Sequence, residues 1–220
     1  MVKGIDVSHW QGNINWDAIP LQYTFAFMKA TEGDGFLDDK FSKNWFESKG
    51  ILRGAYHFWR YAFNGTAQAE HFFETVNSTG DLGELPPVVD LEDTRSPKGG
   101  DIVLRMRQML QRTEELFGQP PIIYTARWWW NEWTRSNTGF GDYELWVAHY
   151  RPTWLSPYLP AGWDDWQVWQ HSSSGSVTGV GGRCDVNIAK DEWFDQYINP
   201  PSLTVKVIAP KEVNVAVVYE

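Results

Sequence analysis

Eight short runs rich in β-branched and aromatic residues recur along the chain: Lys3–Ser8, Phe25–Thr31, Leu52–Trp59, Leu85–Glu92, Pro121–Ala126, Glu144–Tyr150, Trp166–His171 and Arg183–Ile188. Apolar residues at helical spacing separate the early runs: Phe41 and Trp45 before Gly50; Ala69, Phe72, Phe73 and Val76; and Val103, Met106, Leu110, Thr113 and Phe117. The last segment also carries its own boundaries, with Asp101 at the N-cap position, Gly118 at the stop, and Pro120 and Pro121 beyond. Strand and helix alternating in this way predict an α/β fold with a parallel sheet, and eight strands suit a small (β/α)₈-like barrel. The later connections depart from that plan. Residues 151–165 contain Pro152, Pro157, Pro160 and Gly162, and residues 172–182 read SSSGSVTGVGG, so neither can hold a regular helix. The expected fold is therefore an irregular TIM-like barrel whose helices are missing from its last third.

Beyond the eighth run the pattern changes. Pro200 and Pro201 break the chain, and Leu203, Val205 and Val207, then Val213, Val215 and Val217, alternate on either side of Pro210 and Lys211. The expected organisation is a barrel over residues 1–199 and a short C-terminal β-hairpin over 200–220. No stretch reaches 18 consecutive apolar residues, and the first twenty carry Asp6, His9, Asn13 and Asp17 where a signal peptide needs an apolar run. The expectation is thus neither a membrane span nor a secretory signal. Nineteen basic against 28 acidic residues leave a net charge of −9 with no basic run, which argues against nucleic acid as a partner. Cys184 is the single cysteine, so an internal disulfide and a cysteine metal cluster are excluded, and it reads as a small buried hydrophobe.

In a parallel barrel the chemistry gathers where the strands end. Polar residues collect there: Asp6, Ser8 and His9; Glu32; Tyr56 and His57; Asp90 and Glu92; Tyr124; Trp146 and His149; Gln170; Asp185 and Asn187. Any one carboxylate could serve a salt bridge or a helix cap, but Asp6, Asp90, Glu92 and Asp185, from three strands, are harder to explain in that way. Within Val88–Glu92, alternation puts Asp90 and Glu92 on one face with Cα atoms ~6.5 Å apart. Like charges that close raise one pKa, leaving one carboxyl protonated beside one ionised, which is the division of labour glycoside hydrolysis requires. Fourteen tryptophans leave two readings open, apolar core or flat platforms for sugar rings. Trp128, Trp129 and Trp130, with Trp133, follow the fifth run, and helix geometry requires at least one of the three to pack inward. His57 and His149 read as hydrogen-bonded structural histidines. Asn64-Gly65-Thr66 and Asn77-Ser78-Thr79 read as turn and loop chemistry.

The opening Gly4-Ile5-Asp6-Val7-Ser8-His9-Trp10-Gln11-Gly12 is followed in order by Lys29-Ala30-Thr31-Glu32-Gly33, Gly54-Ala55-Tyr56-His57-Phe58, Asp90-Leu91-Glu92 and Tyr124-Thr125, then Trp146-Val147-Ala148-His149-Tyr150, Trp169-Gln170 and Asp185-Val186-Asn187. This series, from about residue 3 to 198, resembles the glycoside hydrolase family 25 lysozymes. The resemblance implies a (β/α)₅β₃ barrel that hydrolyses the β-1,4 bond from N-acetylmuramic acid to N-acetylglucosamine in bacterial cell-wall peptidoglycan, with no metal and no cofactor. It implies Glu92 as proton donor, Asp90 as the carboxylate assisting the substrate's 2-acetamido group, Asp6 and Asp185 as further acidic residues, and Tyr56, Tyr124, Trp146 and Gln170 as lining of the sugar groove. A monomer that acts at the cell wall, as a phage endolysin does, is the matching expectation. Two alternatives stand beside it: a non-catalytic glycan-binding barrel, and a chitin-directed hydrolase. For the latter, Val88 occupies the position where the longer chitinase signature has another aspartate.

Overall fold

A computed structural model describes residues 1–48 and 50–198. The hairpin expected over 200–220 lies outside them. In chain order the strands are β1 (Val2–Val7), β2 (Tyr23–Glu32), β3 (Phe36–Leu37), β4 (Leu52–Phe58), β5 (Val88–Asp90), β6 (Ile122–Ala126), β7 (Leu145–Ala148), β8 (Val168–Gly175) and β9 (Cys184–Ala189). The helices are α1 (Phe41–Glu47), α2 (Gly65–Asn77), α3 (Ile102–Phe117), α4 (Arg127–Trp133) and α5 (Asp191–Ile198). All eight expected strands are present, and β3 is a short addition that pairs antiparallel with the end of β2. β1 bonds to both β2 and β9, which closes the sheet into a barrel of eight strands with β3 on its edge.

The barrel is parallel except at β9, which runs antiparallel to β1 and to β8. That reversal follows from the missing helices: β8 and β9 are joined by a glycine-rich loop of residues 176–183, too short and too irregular to carry the chain back across the barrel. The first crossover is also unusual. Between β1 and β2 it holds two 3₁₀ turns in place of a helix, the first fixed by a capping box in which Gln11 Oε1 accepts from the Ser8 amide at 2.9 Å. Gly12, at φ 64°, ends that turn.

Two apolar layers hold the structure. Alternation along the strands sends Ile5, Val7, Val89 and Leu91 outward against the helices, and sends Phe25, Phe27, Val88, Ile122 and Val168 into the barrel. Small residues make room there: a Cβ on Gly4 would stand 2.3 Å from the Phe25 ring, and one on Gly54 would stand 2.4 Å from the Phe27 ring. The helix α5, which helical spacing did not flag, packs Trp193 and Phe194 into the same interior cluster. Phe194 meets Phe25 at 5.8 Å between ring centroids, so α5 plugs the end of the barrel opposite the polar rim. On α3, Gly118 is left-handed as the stop signal predicts, but Asp101 does not cap. Its carboxylate accepts instead from the Tyr61 hydroxyl and from Arg105. No helix among the described residues is long and apolar enough to cross a membrane.

Candidate active site

The inward-facing ladder that is apolar at the plugged end turns polar at the other. Asp6 on β1, Tyr56 on β4, Asp90 on β5, Tyr124 on β6 and Trp146 on β7 each stand on the inner face within two residues of the strand's C-terminal end, and Gln170, the third residue of β8, joins them in register with Ala148 at the end of β7. Glu92 follows two residues after Asp90. Asp185 reaches the same rim differently: because β9 is reversed, it is the start of that strand that lies there, with Asp185 in register with Asp6. All eight sequence-predicted residues line one cavity of about 240 Å³.

The carboxylates divide by environment. Burial, then the charge of Asp185, pushes the Glu92 pKa up to about 7. Asp90 is raised well above the usual carboxylate range by burial and by Glu92, and its buried Oδ1 has no hydrogen-bond partner. Lys29 and Arg60 oppose both shifts. These cations are fixed by Glu32, which accepts from Lys29 Nζ at 2.7 Å and from Arg60 Nε at 2.7 Å, and Arg60 also donates to Asp93 at 2.8 Å. Asp6 is raised well above its ordinary value by burial and by the charge of Asp185, its partner in the β1–β9 register.

A relay of donors fixes Asp6. Gln170 Nε2 and Asn187 Nδ2 donate to Asp6 Oδ2 at 2.9 and 2.8 Å. The Gln170 carbonyl accepts from the hydroxyls of Tyr124 at 2.9 Å and Tyr150 at 3.0 Å, and the Asn187 carbonyl accepts from the Trp146 indole at 2.8 Å. An indole N–H can only donate, so Trp146 sets the orientation of Asn187 and thereby which of its atoms meets Asp6. Tyr124, Trp146 and Gln170 are almost fully buried, and Trp146 stacks on Phe27 at 4.6 Å. They line the floor of the cavity and hold the Asp6 carboxylate in place.

The exposed aromatic surface lies elsewhere. Trp10, held at the rim by the Ser8–Gln11 turn, lines the cavity and is 82% exposed. Sequence reading did not single it out, although an indole inside a Ser/Gln capping box beside Asp6 was the available signal. Tyr150 was missed as well. Of the tryptophan run, Trp129 and Trp130 are buried and only Trp128 is exposed. His57 is structural: it is fully buried between Thr31 Oγ1 and Gln68 Oε1, and burial lowers its pKa to about 3. Asn64 accepts from the Ala67 amide as the cap of α2, and Cys184 is buried.

Residues 5–180 match the model of the glycosyl hydrolases family 25. The chain belongs to that family. It is therefore a glycoside hydrolase. Among relatives, it is 40% identical over 200 residues to lysozyme M1 of Streptomyces globisporus, covering 84% of this chain and 67% of the relative. It is 28% identical to an N,O-diacetylmuramidase of Arthroderma benhamiae, over 79% of this chain and 77% of the relative. The crystal structure of a bacterial lysozyme from Streptomyces coelicolor superposes with a TM-score of 0.77 at 36% identity, covering 86% of this chain and 91% of that one. The matched family span ends before β9, so the strand that closes the barrel and carries Asp185 is assigned by the geometry given above.

Proposed function

We propose that this family 25 glycoside hydrolase is a lysozyme that cleaves the β-1,4 bond between N-acetylmuramic acid and N-acetylglucosamine of bacterial peptidoglycan, with retention through the substrate's acetamido group. The observation that carries the reading is the contrast within Asp90-Leu91-Glu92: one carboxyl with a pKa near 7, and one buried with an oxygen that lacks a donor.

Glu92 keeps its proton near neutrality and gives it to the glycosidic oxygen as the bond to C1 breaks. Asp90 ends β5 and Glu92 follows two residues later into the same cavity, so both approach the sugar from one side, which suits an assistant better than a base on the opposite face. The acetamido N–H is the donor that Asp90 Oδ1 lacks. With that hydrogen bond made, the acetamido oxygen attacks C1 and closes an oxazoline-type ring, whose developing positive charge the Asp90 carboxylate stabilises. Water then opens the ring at C1, losing its proton to Glu92, and the configuration at C1 is restored. Asp6 and Asp185 hold one proton between them and tune the field at Glu92. Trp10 and Tyr56 offer ring faces to the sugars along the groove.

Mass spectrometry of digested cell walls tests the assignment. New reducing ends at N-acetylmuramic acid are expected. Reducing ends at N-acetylglucosamine, or release of chito-oligomers in preference to muropeptides, would overturn it.

A further inference from the structure

Beside the catalytic cavity lies a second one that the mechanism leaves unused. It is lined by Arg127, Trp128, Asn131, Ala148, His149 and Tyr158, has a volume of about 380 Å³, and opens on the same rim between the ends of β6 and β7. One strand of loop separates the two cavities. Tyr150 turns into the catalytic one and donates to Gln170, while its neighbour His149 turns into the second.

The second cavity is cationic in an acidic protein. The Arg151 and Arg127 guanidinium carbons stand 4.7 and 5.6 Å from the centroid of the Tyr158 ring, and His149 stacks on that ring at 4.9 Å. Among the described residues neither arginine lies within 4.0 Å of a carboxylate, a state shared with Arg107, Arg135 and Arg183, whereas Arg53, Arg60, Arg95, Arg105 and Arg112 are paired. His149 adds no charge. Its Nδ1 accepts from the Tyr158 amide at 2.9 Å, which places any proton on Nε2, and burial together with the two arginines favours its neutral form. An apolar floor with Arg127 in its wall and Arg151 beside it on the Tyr158 ring, one loop away from the catalytic cavity, matches an extended acidic chain anchored at the sugar being cleaved.

We propose that this cavity binds the stem peptide carried by the muramoyl unit, with Arg127 and Arg151 taking its free carboxylates and Trp128 and Tyr158 packing on its apolar side chains. The proposal rests on the muramidase reading above. Guanidinium pairs carboxylate in a planar, two-point fashion, which selects for such a ligand over the neutral sugars of the groove.

The test compares two soluble substrates: glycan strands bearing uncrosslinked stem peptides, and the same strands stripped of peptide by an amidase. The wild type is expected to cleave the peptide-bearing strands more efficiently. In the double variant Arg127→Gln with Arg151→Gln, kcat/KM on peptide-bearing strands should fall about tenfold, mostly through KM, and should not change on stripped strands. The Arg127→Lys, Arg151→Lys variant should recover part of the loss. Equal losses on both substrates would reveal a structural role and overturn the proposal, as would no loss on either. A wild type inactive on both strands would overturn the muramidase reading itself, an outcome distinct from either of these.

Discussion

Asp6 and Asp185 are direct partners in the antiparallel β1–β9 register, and burial together with the neighbouring Asp185 charge raises the Asp6 pKa well above its ordinary value, so Asp6 is the one of the two that keeps a proton. The amide donors of Gln170 and Asn187 both go to Asp6 Oδ2, which leaves Oδ1 for that proton. Asp185 then holds the charge, and that charge is the second cause, after burial, of the raised Glu92 pKa. Replacing each aspartate should have a different effect. Asp6→Asn keeps an acceptor and a donor in the same places and should leave the alkaline limb of the pH–rate profile where it is. Asp185→Asn removes the charge and should move that limb to lower pH. Profiles of kcat/KM for both variants check this, and coincident shifts would refute the assignment of the proton to Asp6.

The wild-type profile should be a narrow bell. Activity needs Glu92 protonated, so the rate should fall as pH rises through about 7. Activity also needs Asp90 ionised, and its raised pKa places the acid limb above the ordinary carboxylate range. A rate that stayed constant to pH 9 would exclude Glu92 as the acid.

Glu92→Gln should abolish turnover and yet stabilise the fold. Folding raises the Glu92 pKa from 4.5 to about 7, so the native state holds an extra proton between those values, and stability falls as pH rises through that window. At pH 8 the buried carboxylate costs up to about 3 kcal/mol. The amide removes that cost, and Tm at pH 8 should rise by roughly 5 to 10 °C, with little change at pH 4. Calorimetry at the two pH values measures the difference.

Much of this site was legible in the sequence because it depends on local alternation. Val88-Val89-Asp90-Leu91-Glu92 states by itself that Val89 and Leu91 face one way and Asp90 the other, and the structure places Val89 and Leu91 under the helices and Asp90 in the cavity. Direction and pairing are not local. Cys184–Ala189 reads the same whether the strand runs up or down, so the approach of Asp185 to the rim through the start of β9 could not be read, nor its pairing with Asp6. The roles of Trp146 and Gln170 were hidden for a related reason. Each acts through a partner on β9 or β1, and an aromatic residue on a strand carries no mark that its N–H orients a distant amide. The helix α5 escaped because eight residues with three apolar aromatic positions give too short a period to separate from loop.

The route through the acetamido group predicts the product's stereochemistry. With Asp90 and Glu92 on one side of the sugar, NMR early in hydrolysis should show the β-anomer first. A first-formed α-anomer would mean direct attack by water activated from the opposite face. Asp90→Asn should lower kcat by about a hundredfold or more, since a neutral amide no longer balances the charge of the ring intermediate. A substrate whose acetamido group is replaced by hydroxyl should be inert to the wild type and the variant alike.

The polar rim depends on the tight packing beneath it. Gly54 on β4 sits two residues before Tyr56 on the same inner face, and a Cβ there would meet the Phe27 ring at 2.4 Å and Leu85 at 3.2 Å. Phe27 cannot retreat freely, because its other face is stacked on Trp146, whose indole orients Asn187 against Asp6. Gly54→Ala should therefore cost about 1 to 3 kcal/mol of stability. It should also lower kcat more than an equally destabilising change in the outer layer such as Val76→Ala, because the displaced ring pushes on the Trp146–Asn187–Asp6 chain. Denaturant unfolding and kcat measured on the two variants separate these effects. Equal kcat at matched stability would show that the packing below the site does not reach the carboxylates.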